Sequence, residues 1–179
     1  MDMTESRVSG ETIFNGKIFS VKKDKVLIPD GTAAIREVIC HPGGVGVLAI
    51  DGEDAILVRQ YRYAVGKELL EIPAGRLEPG ENPQEAGQRE LSEETGYTAQ
   101  SMQYLGDMVP TGGYNSEIIH LFLATGLTKG EPNPDPGEFT VPERVNFKKL
   151  VEMIMSNEIS DGKTMFAVLK YYIMSTRKL

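Results

Sequence analysis

Residues 82–96 constrain the fold more than any other stretch, because they carry signals for both ends of a helix. Asn82 suits the N-cap position, where its side chain can accept a backbone N–H, and Pro83 suits the first helical position. Gly96 suits the left-handed residue that ends a helix. The stretch therefore predicts a helix from about residue 83 to 95.

Three carboxylates share one face of this predicted helix. Because successive residues turn by about 100°, Glu90, Glu93 and Glu94 fall within one arc of roughly 100°. Like charges at such spacings destabilise a helix by roughly 0.2–0.5 kcal/mol per pair, whereas a divalent cation reverses the sign of the effect. Oxygen ligands suit Mg²⁺, with Mn²⁺ as the other candidate, rather than Zn²⁺. The alternative is an ordinary solvated acidic face.

Neighbouring residues support a site on this face. Glu81, in the preceding loop, can fold back toward the carboxylates, and Arg89 can pair with Glu93 at the i,i+4 spacing. We therefore expect Arg89 and Glu81 to orient the helix and its acids. Ala86 and Gly87 lie one turn earlier on the same arc, and their small size leaves room for another backbone segment.

The spacing resembles the Nudix box: Gly, five residues, Glu, seven residues, then Arg-Glu-U-x-Glu-Glu-x-Gly-U, where U is a bulky aliphatic residue. All seven fixed residues are present between Gly75 and Gly96. Tyr97 stands at the last U position and, although aromatic, is expected to pack under the helix. Flanking stretches resemble the ADP-ribose pyrophosphatase branch of the Nudix hydrolases: Ile13-Phe14-Asn15-Gly16, Arg36-Glu37-Val38-Ile39, Arg59-Gln60-Tyr61-Arg62, Leu70-Glu71-Ile72-Pro73-Ala74-Gly75, Glu117-Ile118-Ile119-His120 and Asp161-Gly162-Lys163-Thr164.

The resemblance implies an α/β protein with the Nudix fold, an α/β/α sandwich with a mixed β-sheet, plus a small N-terminal β-strand region. Residues 1–40 would be N-terminal strands of the same domain that form a homodimer, and residues 41–179 the Nudix hydrolase domain. The local sequence adds hairpin turns at Asp30-Gly31 and Asp51-Gly52. It further predicts strands near residues 69–72, 103–109 and 117–124, a loop at 126–142, and helices near 147–156 and 163–176.

The same resemblance assigns a metal site and a diphosphate contact. Glu90 and Glu94 would be the principal metal ligands, with Glu93 and the carbonyl of Ala74 as further ligands. Arg62 would bind the diphosphate, and the alternative is an ordinary surface arginine.

Further substrate contacts are implied in other parts of the chain. Arg36 would lie near the nucleotide and could reach the partner subunit's site, unless it is an ordinary strand-face charge. Phe19 or Ile18 would pack on the adenine, unless they are core residues. Glu117 would contribute to substrate binding.

The resemblance also places the catalytic base in a flexible loop, here residues 126–142. We favour Glu138 because it comes just before the next strand, with Asp135 second and Glu131 as the other acid. Glu93 is a further catalytic candidate. The alternative is that the three loop acids only face solvent.

The net charge of the chain limits the kinds of molecule that it is expected to bind. The chain has 179 residues, with 26 acidic against 19 basic ones, a net charge of −7. This argues against nucleic acid and anionic membranes, and an anionic substrate needs a cation or local basic residues. Cys40 is alone, so no internal disulfide forms, which fits a cytoplasmic protein. We interpret His41 and His120 as structural, and find no signal peptide.

These observations predict Mg²⁺-dependent hydrolysis of ADP-ribose to AMP and ribose 5-phosphate. The branch usually shows Ser-Pro-Gly where this chain has Thr111-Gly112-Gly113. That departure keeps open the same reaction on a GDP-sugar or UDP-sugar. A non-catalytic nucleotide-sensing module is a third hypothesis, although such modules typically lose acids from the box.

Overall fold

The computed structural model describes residues 2–176 of the chain. Contacts between residues divide the described part of the chain into two compact units. The first comprises residues 2–43 and 109–118, and the second comprises residues 44–108 and 119–176. None of the helices in this described part is long and apolar enough to cross a membrane.

An antiparallel sheet of three strands forms the first unit. The strands are β1 (Ser6–Asn15), β2 (Ser20–Leu27) and β3 (Ala33–Cys40). The predicted turn at Asp30-Gly31 joins β2 to β3, and the Asp30 side chain accepts a hydrogen bond from the Thr32 N–H at 2.8 Å. A bridge between Ile39 and Asn115 adds the second segment to this sheet.

A seven-stranded sheet forms the second unit. Its strands are β4 (Gly44–Asp51), β5 (Asp54–Arg62), β6 (Lys67–Glu71), β7 (Ala74–Arg76), β8 (Tyr97–Met108), β9 (Ile119–Lys129) and β10 (Thr140–Asn146). The main order is β10-β5-β4-β9-β8, with β6 beside β5 and β7 beside β4. Strands β4 and β9 run parallel, and the other described pairs run antiparallel, so the predicted mixed sheet is confirmed.

Helices cover both faces of this sheet. They are α1 (Pro83–Thr95), α2 (Phe147–Met155) and α3 (Gly162–Thr176). Neighbouring residues of β4 point to opposite faces. Val47 joins the core cluster that includes α1 residues, whereas Leu48 joins the cluster that includes α2 and α3 residues. The expected α/β/α sandwich is confirmed.

Some strand boundaries differ from the prediction. The strand predicted near residues 69–72 is β6, which covers Lys67–Glu71, and the short strand β7 after Pro73 was not predicted. Strand β8 begins at residue 97 rather than near 103, and β9 ends at residue 129 rather than near 124, because the two strands pair with each other over most of their length. The irregular segment before β10 is therefore shorter than predicted and covers residues 130–139.

Candidate active site

Helix α1 begins and ends where its sequence predicts. Asn82 accepts a hydrogen bond from the Gln84 N–H at 2.9 Å. Gly96 has a φ of 75°, and its N–H donates to the Ser92 carbonyl at 2.8 Å. Tyr97 is 6% exposed and belongs to the core cluster of α1, so its ring packs under the helix as expected.

Small residues let α1 approach the sheet closely. Ala86 is fully buried. A Cβ on Gly87 would lie 2.9 Å from Met102 and 3.2 Å from Val47, so a larger side chain would push the helix away from β4. This contact fixes the acidic residues of α1 relative to the strands.

Two carboxylates of α1 are buried against strand β7. Glu90 is 8% exposed and Glu94 is 3% exposed. The backbone N–H of Ala74 donates to Glu94 Oε2 at 2.9 Å. A Cβ on Gly75 would lie 1.9 Å from Glu90 Oε1, so glycine is required for this carboxylate to reach the strand.

Arg89 orients three neighbouring acids. Its guanidinium donates to both oxygens of Glu81, at 2.9 and 3.0 Å. It also donates to Glu90 Oε1 at 2.8 Å and to Glu93 Oε2 at 3.0 Å. The hydrogen bonds from Arg89 lower the pKa of the Glu81 carboxyl. The loop acid and the helix acids are thus joined through one guanidinium.

The buried carboxyls carry raised pKa values. Desolvation is the largest cause and, with the charges of Glu90 and Glu138, raises the pKa of Glu94 to about 8 against the hydrogen bond from Ala74. Desolvation also raises the pKa of Glu90, although the charge and hydrogen bond of Arg89 oppose it. Burial and the neighbouring acids therefore outweigh the nearby cations and favour the protonated form of both carboxyls while no metal is bound.

The segment at residues 130–139 is attached to the end of α1. The Asn133 N–H donates to the Glu93 carbonyl at 2.9 Å. Glu138 lies close enough for its charge to raise the pKa of both buried carboxyls of α1. The Glu138 N–H donates to the Asp135 carbonyl at 2.9 Å, so Asp135 forms the turn that precedes Glu138.

Arg62 lies beside the same centre, because its charge lowers the pKa of Glu94. Its Nε and Nη2 donate to the two oxygens of Glu71 at 2.8 and 2.7 Å. Glu71 also accepts from Lys163, which reaches Asp161 at 3.0 Å. The sequence assigns no role to Glu71 or Lys163. The signal that could find Glu71 is a single acid in the otherwise apolar stretch 69–72, and no comparable signal indicates Lys163.

Residues 41–166 match the family model for the NUDIX domain. The chain belongs to the Nudix family. It is similar to the methanol dehydrogenase activator of Bacillus methanolicus, at 40% identity over 92% of this chain and 90% of that one. It is 37% identical to the ADP-ribose pyrophosphatase of Bacillus subtilis (strain 168), over 93% and 91%. Its fold matches an ADP compounds hydrolase over the whole of both chains, with a TM-score of 0.84 at 19% identity.

The matched residues include the acidic face of α1, which carries the complete Nudix box. The chain therefore belongs among the Nudix pyrophosphohydrolases. The box offers oxygen donors, the kind that Mg²⁺ prefers: Glu90, Glu93, Glu94 and the carbonyl of Ala74. Across residues 2–176, no three acidic, histidine or cysteine side chains already converge as a formed metal site. Arg89 pairs instead with Glu90 and Glu93. The oxygen donors and the raised pKa values of the buried carboxyls fit a site that is completed by a divalent cation.

Other predicted contacts of this Nudix protein belong to the first unit. Arg36 pairs with Glu5, with N–O distances of 2.5 and 2.9 Å. Phe19 packs on Phe14 with 5.9 Å between ring centroids. Phe19 is 37% exposed and Ile18 is 56% exposed, so neither is a core residue of the unit. Their roles in binding the nucleotide stay predictions.

Glu117, also in the first unit, is held by Asn115. The Glu117 N–H donates to Asn115 Oδ1 at 3.0 Å, and its carboxylate accepts from Asn115 Nδ2 at 3.2 Å. His41 Nδ1 lies 3.6 Å from the Glu117 carboxylate. In the second unit, His120 Nδ1 lies 2.6 Å from Asp107 Oδ1. Each histidine thus contacts an acid of its own unit.

Proposed function

We propose that the protein hydrolyses the diphosphate bond of ADP-ribose to give AMP and ribose 5-phosphate, with Mg²⁺ as cofactor and Mn²⁺ able to replace it. The observation that most strongly supports this proposal is the pair of buried carboxylates, Glu90 and Glu94, which lie against β7 with Glu138 nearby. The Bacillus subtilis relative named ADP-ribose pyrophosphatase supports the substrate, because the similarity covers more than nine tenths of both chains.

Glu90, Glu94, Glu93 and the carbonyl of Ala74 are the groups that would hold the cation. When bound, a divalent cation supplies charge neutralisation to the diphosphate and lowers the pKa of a coordinated water. The net charge of −7 would otherwise repel the substrate. A bound cation would therefore serve both the buried carboxylates of the box and the negative substrate.

Two side chains would act on the substrate and the attacking water. Glu138 accepts a proton from the water, a role that suits a carboxylate positioned beside the box. Asp135 is the second candidate for the base, and Glu93 the third. Arg62 donates charge-assisted hydrogen bonds to the diphosphate.

A substrate panel tests this proposal. ADP-ribose, a GDP-sugar and a UDP-sugar are compared with Mg²⁺ present, and the phosphate products are separated and identified. We expect ADP-ribose to be cleaved fastest and to give AMP. If it turns over no faster than the sugar nucleotides, the substrate is wrong and the GDP-sugar or UDP-sugar hypothesis takes its place. That hypothesis draws on Thr111-Gly112-Gly113, where the branch usually has Ser-Pro-Gly.

A non-catalytic nucleotide-sensing role is the remaining alternative. The complete set of box acids and the burial of Glu90 and Glu94 favour catalysis over it. The Bacillus methanolicus relative is named for an effect on a second protein rather than for a bond that it breaks. A protein can both hydrolyse a substrate and act on a second protein. The name of this relative is therefore compatible with hydrolysis.

We further propose a homodimer in which the N-terminal strands of one protomer contribute Arg36 to the partner's site. Exposed apolar side chains in the first unit support it, among them Val8, Ile13 and Ile35. Light scattering on the purified protein, combined with activity, tests this proposal, and a fully active monomer would contradict it. A cytoplasmic location is proposed from the lone Cys40, and cell fractionation tests it.

A further inference from the structure

A cluster of buried charged side chains contacts Arg62, and the proposed reaction assigns no role to most of it. Glu71 is 1% exposed and Lys163 is 8% exposed. Burial raises the pKa of the Glu71 carboxyl, but the hydrogen bond from Arg62 and the charge of Lys163 outweigh it, so the pKa falls below its usual value. The carboxylate is therefore ionised, with a cation on either side.

Stability of the fold does not explain this cluster. A buried ion pair is often no more stabilising than apolar side chains of similar volume. The acid is therefore better explained by the Arg62 side chain that it contacts than by its contribution to stability.

Glu71 fixes the plane of the Arg62 guanidinium. Its two oxygens receive Nε and Nη2 in a bidentate pair, which sets both the position and the orientation of the group. The two Nη1 hydrogens and the second Nη2 hydrogen are then left for a phosphate oxygen. The Arg62 side chain is 39% exposed, so a ligand can reach it from solvent.

The start of α3 anchors the cluster. Asp161 accepts from the Thr164 N–H at 3.0 Å and thereby caps the helix. Asp161 also accepts from Lys163 at 3.0 Å. The Thr164 hydroxyl accepts from the Ile72 N–H at 2.9 Å, two residues before Ala74. One rigid helix end therefore holds both the carboxylate that orients Arg62 and the strand that leads to the box.

We propose that Glu71 and Lys163 are positioning residues that hold the Arg62 guanidinium in the orientation that receives the substrate diphosphate. The inference rests on the proposed role of Arg62. It assigns a purpose to a carboxylate and a lysine that would otherwise be an unneeded buried ion pair.

A double-mutant cycle tests it. Glu71→Gln and Arg62→Lys should each raise the KM for ADP-ribose about tenfold, the loss expected for one charge-assisted hydrogen bond, with a much smaller effect on kcat. The double variant should be no more than about twofold worse than either single one, because each change removes the same interaction. Lys163→Met should raise KM by about threefold through Glu71.

The Arg59–Glu143 pair provides a matched control, since it is also bidentate and starts from the same strand. Arg59→Lys and Glu143→Gln should leave KM within about twofold of the wild type. Thermal unfolding checks the fold of every variant. If Glu71→Gln unfolds, Glu71→Asp replaces it, because it keeps the charge but withdraws the carboxylate from Arg62. Its KM should still rise.

Two results would overturn the inference: a Glu71 variant with wild-type KM, or single effects that multiply in the double variant. Calorimetry can also measure the dissociation constant of ADP, with Mg²⁺ present, for the wild type and for each variant of the cycle. This measurement reports binding without turnover. If the wild type fails on ADP-ribose, the proposed function falls, while the ADP measurements still decide the positioning role. If the wild type does not bind ADP either, both fall.

Discussion

Glu71 and Glu94 are both buried in the second unit, at 1% and 3% exposure, yet they differ in what neutralises them. Glu71 has a cation on each side, and its pKa is lowered. Glu94 accepts the N–H of Ala74, and burial raises its pKa to about 8. The protein completes the first centre with its own side chains and leaves the second incomplete.

The difference shows which buried charge is reserved for an outside partner. Burying a carboxylate without a paired cation costs several kcal/mol in a protein interior. Without metal, the proton that Glu94 retains up to about pH 8 avoids this cost, and a bound cation would replace that proton. The Glu94 centre should therefore respond to a divalent cation, and the Glu71 centre should not.

The largest expected effect is on turnover. Glu94→Gln should lower kcat by about 10³-fold or more, because it removes a ligand charge from the box. The fold should stay intact, since the amide oxygen can still accept the Ala74 N–H. Glu71→Gln should change kcat by only a few fold. Steady-state kinetics, with circular dichroism as the fold control, makes this comparison; retained turnover in the first variant would remove the metal role of Glu94.

The next largest expected effect distinguishes Glu138 from Asp135 by their influence on kcat. Glu138→Gln should lower kcat by about 10²-fold if this carboxylate takes the proton of the attacking water. Asp135→Asn, its matched control in the same loop, should change kcat by less than about threefold, because its backbone rather than its side chain contacts Glu138. The reverse order would make Asp135 the base, and two small effects would exclude both.

The two centres should also differ in how stability depends on pH. The pKa of Glu94 is raised from 4.5 to about 8 on folding, so the folded state holds a proton that the unfolded state has lost between these values. Without metal, the free energy of unfolding should fall as pH rises from about 5 to 8, by on the order of 2–4 kcal/mol. The lowered pKa of Glu71 contributes stability that is fully present over this range and is lost only at lower pH.

Urea unfolding at several pH values measures that slope. Glu94→Gln should remove most of the slope, and saturating Mg²⁺ should flatten it in the wild type. A wild-type slope that is equally steep in Glu94→Gln would show that Glu94 is not the group responsible.

The smallest effect concerns the attachment of the loop to α1. Asn133→Pro removes the N–H that donates to the Glu93 carbonyl, whereas Asn133→Ala keeps it. We expect kcat to fall by about threefold to tenfold in the proline variant and to stay near wild type in the alanine variant. Equal rates in the two variants would mean that this bond does not position Glu138.

The two centres also differ in how far the sequence predicts them. The box centre is local: Asn82, Pro83 and Gly96 fix the helix, and the spacing of its acids fixes the shared face. The Glu71 centre joins residues 92 positions apart in the chain, Glu71 and Lys163, and no local pattern predicts such a pair. The short strand β7, which pairs with β4, and the inclusion of residues 109–118 in the first unit likewise depend on long-range pairing.

Direct measurement of Mg²⁺ binding tests the central claim, that the uncompensated carboxylates of the box are the cation site. Isothermal titration of Mg²⁺ into the wild type, Glu94→Gln and Glu71→Gln gives the three dissociation constants. Affinity should fall by at least about tenfold in Glu94→Gln and stay within about twofold in Glu71→Gln. Equal weakening in both variants, or unchanged affinity in Glu94→Gln, would contradict the claim.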